Sequence, residues 1–128
     1  MKYISIDGDD VGRRITACYI SNDEKELQEI SKNLELSIRK IASLLVSLGF
    51  NVLFCAADGV VASTEKTVDF TNIFEIINSL APKGISYSAG VGDTLREAYI
   101  ALQAAKSNGK NCLYEYSEIS TKQGDNAT

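Results

Sequence analysis

The start of this chain limits its fold more than any other segment. Residues 2–7, K-Y-I-S-I-D, alternate as a β-strand does, with Ile4 and Ile6 on one face and Tyr3, Ser5 and Asp7 on the other. The apolar run then stops in three carboxylates, Asp7, Asp9 and Asp10, with Gly8 among them. Such a strand is buried along its length and delivers its acidic end to water or to a cation. A second segment, F-C-A-A-D-G-V-V-A-S at 54–63, has the pattern of a hairpin with Asp58 at its tip, and its Asp-Gly pair favours a tight turn. The chain has no histidine, so the carboxylates lead as candidates for any chemistry.

The remaining elements follow from periodicity. Residues 10–20 read either as a short helix starting near Val11 or as a loop with some strand character. Leu27, Ile30, Leu34, Ile38, Ile41, Leu45 and Leu48 step by three and four, which predicts a long amphipathic helix. Ser21, Asn22 and Asp23 offer its N-cap and Gly49 its end. Short strands are expected at 52–56 and 60–63. A helix over about 66–80 uses Phe70, Ile73, Phe74, Ile77 and Leu80, and Pro82 and Gly84 stop it. Residues 85–91 alternate strictly, with Ile85, Tyr87, Ala89 and Val91 opposite a nearly bare face of Ser86, Ser88, Gly90 and Gly92. That bare face suits a partner sheet or a nucleotide. A third helix opens with the capping box Thr94-Leu95-Arg96-Glu97 and is expected to bury Leu95, Ala98, Tyr99, Leu102 and Ala105. A fifth strand fits 111–116. The tail after Ser117 is polar and reads as disordered, which makes 1–116 the domain and 117–128 the tail.

The order β-α-β-β-α-β, followed by α-β, places the chain in the α+β class. It predicts a ferredoxin-like arrangement, an antiparallel sheet with helices on one face. In that topology the first and third strands are central neighbours, so Asp7 and the hairpin tip at Asp58 come together.

Composition bounds the function. A chain of 128 residues with 45% hydrophobic and 23% charged residues suits one globular domain. A net charge of −4 gives no electrostatic case for long nucleic acid. Three scattered cysteines, Cys18, Cys55 and Cys112, form no metal or disulfide pattern and read as small buried hydrophobes. No stretch approaches the roughly 18 apolar residues of a membrane span, and no signal peptide is evident, so a soluble cytoplasmic protein is expected.

Carboxylates at two adjacent strand ends suit Mg²⁺ or Mn²⁺, which take one or two carboxylates plus phosphates and waters. Asp7 and Asp58 would supply them, and the Gly8 carbonyl is a natural further ligand. The turn formed by Asp9, Asp10, Val11 and Gly12 could cradle a triphosphate on its backbone N–H groups. Arg13, Arg14, Lys106 and Lys110 are candidates to neutralise it. Asn22, Ser86 and Ser88 are candidates to read the base.

Taken together, I-S-I-D-G-D-D-V-G, the carboxylate hairpin, and S-A-G-V-G-D-T-L-R-E-A-Y-I-A-L-Q-A-A-K-S-N-G-K-N resemble the palm-type nucleotidyl cyclases. That group includes GGDEF diguanylate cyclases and the palm of the type III CRISPR polymerase. The size is similar to that of the minimal CRISPR polymerases, stand-alone palm domains, and the resemblance covers about residues 1–116. It implies metal-dependent joining of nucleoside triphosphates into a cyclic oligonucleotide with release of pyrophosphate. It also implies a role in anti-phage signalling. Cyclic adenine nucleotides are the implied products, so ATP is favoured as substrate and GTP stays open. By the resemblance Asp7 and Asp58 are the catalytic metal-binding carboxylates and Gly8 offers its carbonyl. Asp10, Val11, Gly12, Arg13, Ser88, Lys106 and Lys110 fall to the nucleotide. Because one small palm offers one such site, a homodimer is expected.

The chain departs from the wider group at the hairpin. The G-G-D-[DE] motif reads A-A-D-G at 56–59, so one carboxylate is kept and the next is Gly59, for which Asp9 or Asp10 could compensate. The two basic residues usual in the GGDEF helix fall at Ile100 and Ala104. Three other readings stand beside the cyclase: a catalytically inactive nucleotide-sensing palm, a hydrolase resembling GTP cyclohydrolase III, and a regulatory ferredoxin-like domain that uses its sheet only for partner contacts.

Overall fold

A computed structural model describes residues 1–119. Its elements are β1 (Lys2–Gly8), α1 (Val11–Ile20), α2 (Glu24–Ser47), β2 (Asn51–Ala56), β3 (Gly59–Thr64), α3 (Phe70–Ser79), β4 (Tyr87–Gly92), α4 (Leu95–Ser107) and β5 (Leu113–Glu115). The ambiguous segment after β1 is a helix, α1. It buries Val11 and Cys18 against Ile30 and Leu34 of α2 and against Ile85. Its start is hard to read because Asp10 sits in the left-handed region (φ 58) and its side chain makes no cap. The α2 start, by contrast, carries an ordinary signal: Asp23 accepts from the Glu26 N–H at 3.0 Å. The expected tail begins inside a helical turn at 116–119, and residues 120–128 lie outside the described residues.

The strands lie in the order β2-β3-β1-β4-β5. β1 is antiparallel to both β3 and β4, as the ferredoxin-like order requires. The final α-β unit adds β5 parallel to β4, so the sheet is mixed. On one face α2 and α3 bury Ile38, Ile41, Leu45, Phe70, Ile73 and Ile77 against Ile4, Ile6, Val60, Tyr87, Ala89 and Val91. Each fully buried side chain of this size contributes roughly 1.5–3 kcal/mol. Within this core the Tyr87 hydroxyl pairs with Ser37 Oγ at 2.8 Å, so its polar end is satisfied.

The bare face of β4 takes neither a partner sheet nor a nucleotide, because α4 lies on it. A β-carbon on Gly90 would overlap Leu102 N and Ala98 O, and one on Gly92 would meet the start of α4. The matching side of α4 is equally small, with Ala98, Ala101 and Ala105 fully buried. This close approach narrows the buried seam. Ala98, Leu102 and Ala105 lie inside it as expected, but Leu95 and Tyr99 fall outside, 54% and 59% exposed. Cys55 also departs from expectation and is exposed on β2. Among the described residues no helix is long and apolar enough to cross a membrane.

The seam predicts that Gly90→Ala, which sets a methyl group against α4 backbone, costs at least about 2 kcal/mol of stability. Urea denaturation measures this, and a loss below about 0.5 kcal/mol contradicts so close a packing.

Candidate active site

Register places the site. Ile6 pairs with Val60 and Asp7 with Gly59. The next step brings Gly8 opposite Asp58, whose carbonyl accepts from the Gly8 N–H at 3.0 Å. The hairpin tip is therefore locked to the end of β1, as the deduced topology predicts. Two glycines leave room for the carboxylates. A β-carbon on Gly59 would lie 3.4 Å from Asp7 Oδ1, and one on Gly8 would lie 3.3 Å from Asp58 Oδ2 and 2.8 Å from Val11 Cγ2. In the turn itself Ala57 is left-handed, φ 53, a conformation that costs a residue with a β-carbon roughly 1–2 kcal/mol.

The two carboxylates are in tension. Burial, and then the negative charge of Asp7, push the Asp58 carboxyl above the ordinary carboxylate range. One ammonium offsets them: Lys106 Nζ lies 3.1 Å from Asp7 Oδ2 and 2.9 Å from the Gly8 carbonyl oxygen. Burial works against the charge on Lys106, but the hydrogen bond and charge of Asp7, followed by those of Asp9, outweigh it. Its pKa ends above the ordinary lysine value.

Asp9, expected in the turn or as a substitute for the carboxylate missing at Gly59, is the most connected residue of the region. It is 5% exposed. Its Oδ2 accepts from Ser86 Oγ at 2.6 Å and from the Asn111 N–H at 3.0 Å. Its Oδ1 accepts from Ser88 Oγ at 2.7 Å and Lys106 Nζ at 3.2 Å. Burial raises its pKa, but the donors Ser86, Ser88, Asn111 and Lys106 together bring it below the usual value, so it is ionised. Ser88 is fully buried with its hydroxyl spent on Asp9, which takes it off the list of nucleotide contacts. Ser86 is engaged in the same way.

The expected phosphate turn falls at the start of α1. With no side-chain cap from Asp10, the first-turn amides of Val11, Gly12 and Arg13 present the positive end of a helix. Gly12 and Arg13 are exposed, and Val11 is buried beneath them. Lys110 Nζ reaches Asp10 Oδ1 at 2.5 Å, and this hydrogen bond lowers the Asp10 pKa. Arg14 is committed elsewhere, to the Gly84 carbonyl at 2.6 Å and to Glu26 at 3.6 Å. Asp9 is thus fully engaged and does not stand in for the carboxylate that Gly59 lacks, while Asp10 is paired with Lys110.

Among the described residues no group of three or more acidic or thiol side chains is placed to hold a metal ion. Two carboxylates and a backbone carbonyl remain, a hard-oxygen set that fits Mg²⁺ or Mn²⁺ completed by phosphate and water. Burial, and then the charge of Asp7, disfavour an ionised Asp58, and a cation bound there would offset both. Sequence reasoning missed Asp9 and Asn111. The only signal was the Ser-x-Ser alternation at 86–88, whose hydroxyls share the carboxylate side of the sheet.

Because the Asp58 pKa is raised in the folded state, its contribution to stability is complete below the ordinary carboxylate value and is lost as pH rises through the raised value. Asp58→Asn in the presence of a chelator is therefore expected to melt higher than the parent at pH 7, with the gain shrinking toward pH 4. Thermal unfolding at both pH values checks this; a variant that melts lower at pH 7 contradicts the tension between the two carboxylates.

The family model of the minimal CRISPR polymerase domain matches residues 3–116. No curated protein matches the chain at a significant level. Among solved structures, the active GGEEF domain of a diguanylate cyclase from Vibrio cholerae is similar over 90% of this chain and 81% of that one, with a TM-score of 0.59 and 19% identity. The GGDEF domain of DgcB from Caulobacter crescentus in complex with c-di-GMP is similar over 91% of this chain and 77% of that one, with a TM-score of 0.60 and 14% identity. At these identities the likeness is one of fold, the palm built above from strand order and packing.

Proposed function

This chain belongs to the minimal CRISPR polymerase domain family, and we propose that it joins nucleoside triphosphates, ATP by preference, into a cyclic di- or oligonucleotide. The observation that carries the reading is the pair Asp7 and Asp58, two carboxylates crowded at adjacent strand ends, with the Lys106 ammonium on Asp7. The palm fold it shares with a GGDEF domain solved with c-di-GMP supports the same chemistry.

In this reading Asp7, Asp58 and the Gly8 carbonyl hold Mg²⁺ or Mn²⁺. Bound there, the metal supplies Lewis-acid charge at the α-phosphate and acidifies the attacking hydroxyl. The chain's own residues bind and orient the nucleotide. The amides of Val11, Gly12 and Arg13 receive phosphate oxygens at the positive end of α1. Lys106 and Lys110 neutralise charge on the pyrophosphate as it leaves, and Arg13 adds a third cation at the exposed rim. The attacking ribose oxygen bonds to the α-phosphorus, the α–β bridging P–O bond breaks, pyrophosphate departs and the hydroxyl proton passes to water. The attacking hydroxyl belongs to a second nucleotide, and a two-fold homodimer with facing sites supplies it. The cyclic product serves as a second messenger in anti-phage defence.

A second reading, a nucleotide sensor without turnover, is favoured by one observation. Lys106 occupies the Gly8 carbonyl and one oxygen of Asp7, both of which the metal needs, and Gly59 brings no further carboxylate.

Incubation with mixed triphosphates and Mg²⁺ or Mn²⁺, followed by mass spectrometry and a pyrophosphate assay, decides between them. The expected result is a cyclic adenine nucleotide with matching pyrophosphate, abolished by Asp7→Asn in a variant that still folds. Tight metal-dependent triphosphate binding without product identifies the sensor, and turnover that survives Asp7→Asn overturns the site.

A further inference from the structure

We infer that Asp9 is the positioning residue of this site: buried out of reach of nucleotide and metal, it sets the two lysines that face them. What those lysines act on rests on the nucleotidyltransferase reading above.

Both oxygens of Asp9 are spent inside the fold. A carboxylate offers about four acceptor positions, and Ser86, Ser88, the Asn111 N–H and Lys106 take two on each oxygen. With 5% of its surface exposed, it has no free lone pair to turn outward. It shares its acidic type and its place in the D-G-D-D run with Asp7, yet it is chemically closed.

Lys106 shows what the closure achieves. An ammonium has three donors, and Lys106 has three oxygen partners: Asp7 Oδ2, the Gly8 carbonyl and Asp9 Oδ1. The first two are the oxygens assigned to the cation. Once they are given over, Asp9 is the remaining partner. A lysine chain is long and gains rotamer freedom when untied. Asp9 keeps this one beside the strand ends instead of in solvent, so its charge is already in place for the phosphates.

The second lysine is set through the backbone. Gly109, Lys110 and Asn111 are all left-handed, with φ 105, 60 and 50. Two of the three carry side chains, for which that region is unfavourable. The turn is held by the Asn111 N–H on Asp9 Oδ2, by Asn78 Nδ2 donating to Asn111 Oδ1 at 3.0 Å, and by the Lys110 N–H on the Ala105 carbonyl at 3.0 Å. In this shape Lys110 reaches Asp10 at the α1 start. One buried carboxylate therefore holds Lys106 by a side-chain bond and Lys110 by fixing the next peptide.

The test uses the full chain with ¹⁵N-labelled lysine. The parent is expected to show a slowly exchanging ammonium signal that disappears in Lys106→Arg. Asp9→Asn is expected to speed exchange of that signal at least about tenfold while the backbone amide spectrum of the sheet is kept. In turnover, kcat falls about a hundredfold and KM moves less than about threefold. Should Asp9→Asn fail to fold, Ser88→Ala removes one donor without changing charge, and a smaller acceleration of the same signal is expected. A Lys106 signal that exchanges at the parent rate in a folded variant overturns the inference, and so does an unchanged kcat in an active protein. If the parent makes no product, the nucleotidyltransferase reading fails on its own, and the ammonium signal still decides the role of Asp9.

Discussion

The buried carboxylate of Asp9 joins parts of the chain that are remote in sequence. It follows β1 directly, and its donors come from the approach to β4, from β4 itself, from the end of α4 and from the turn before β5. A buried carboxylate left without donors costs far more than a neutral group, so this network favours bringing these parts together. The Asp9 N–H adds a fifth tie, to the Ser86 carbonyl at 2.9 Å. The consequence for the site is geometric. The end of β1, where Asp7 and Gly8 lie, is held from one side by Asp58 of the hairpin and from the other by the Asp9 network.

This division of labour explains how three nearby carboxylates behave differently. Asp9 has four donors and is ionised below its usual range. Asp10 shares one lysine at an open helix start. Asp58 has burial and a like charge beside it and is pushed the other way. The protein therefore stores unfavourable charge at one place, the strand ends, and neutralises it next door. Natural sites keep such tension where a ligand will relieve it. The left-handed Ala57 fits the same picture. It stands where the wider group has the second glycine of its hairpin motif, so the turn is kept although the residue that makes it cheap is gone.

Much of this was legible in the residues. The period of α2, the alternation of β1 and β4 and the capping signals gave the element order, and the order alone brought Asp7 to Asp58. What was not legible depends on contacts that no period records. The bare face of β4 looked open because Gly90 and Gly92 say only that something comes close, and the partner proved to be α4 rather than a ligand. Leu95 and Tyr99 looked buried because helical spacing cannot show how narrow a glycine-alanine seam becomes. Ser88 and Asp9 both looked available for one reason: each is the other's partner, and 79 residues separate them. Asp10 hid the start of α1 because it carries no cap.

The central claim is that Asp7, Asp58 and the Gly8 carbonyl form a cation site for a bound triphosphate, with Lys106 held beside it. A crystal structure with Mn²⁺ and a non-hydrolysable ATP analogue tests it most directly, since manganese is located by its anomalous scattering. The account predicts a manganese peak bridging Asp7 and Asp58, with Lys106 still on Asp9 and no longer on the Gly8 carbonyl. An analogue bound with no manganese at those carboxylates, or with manganese held elsewhere on the chain, would contradict it.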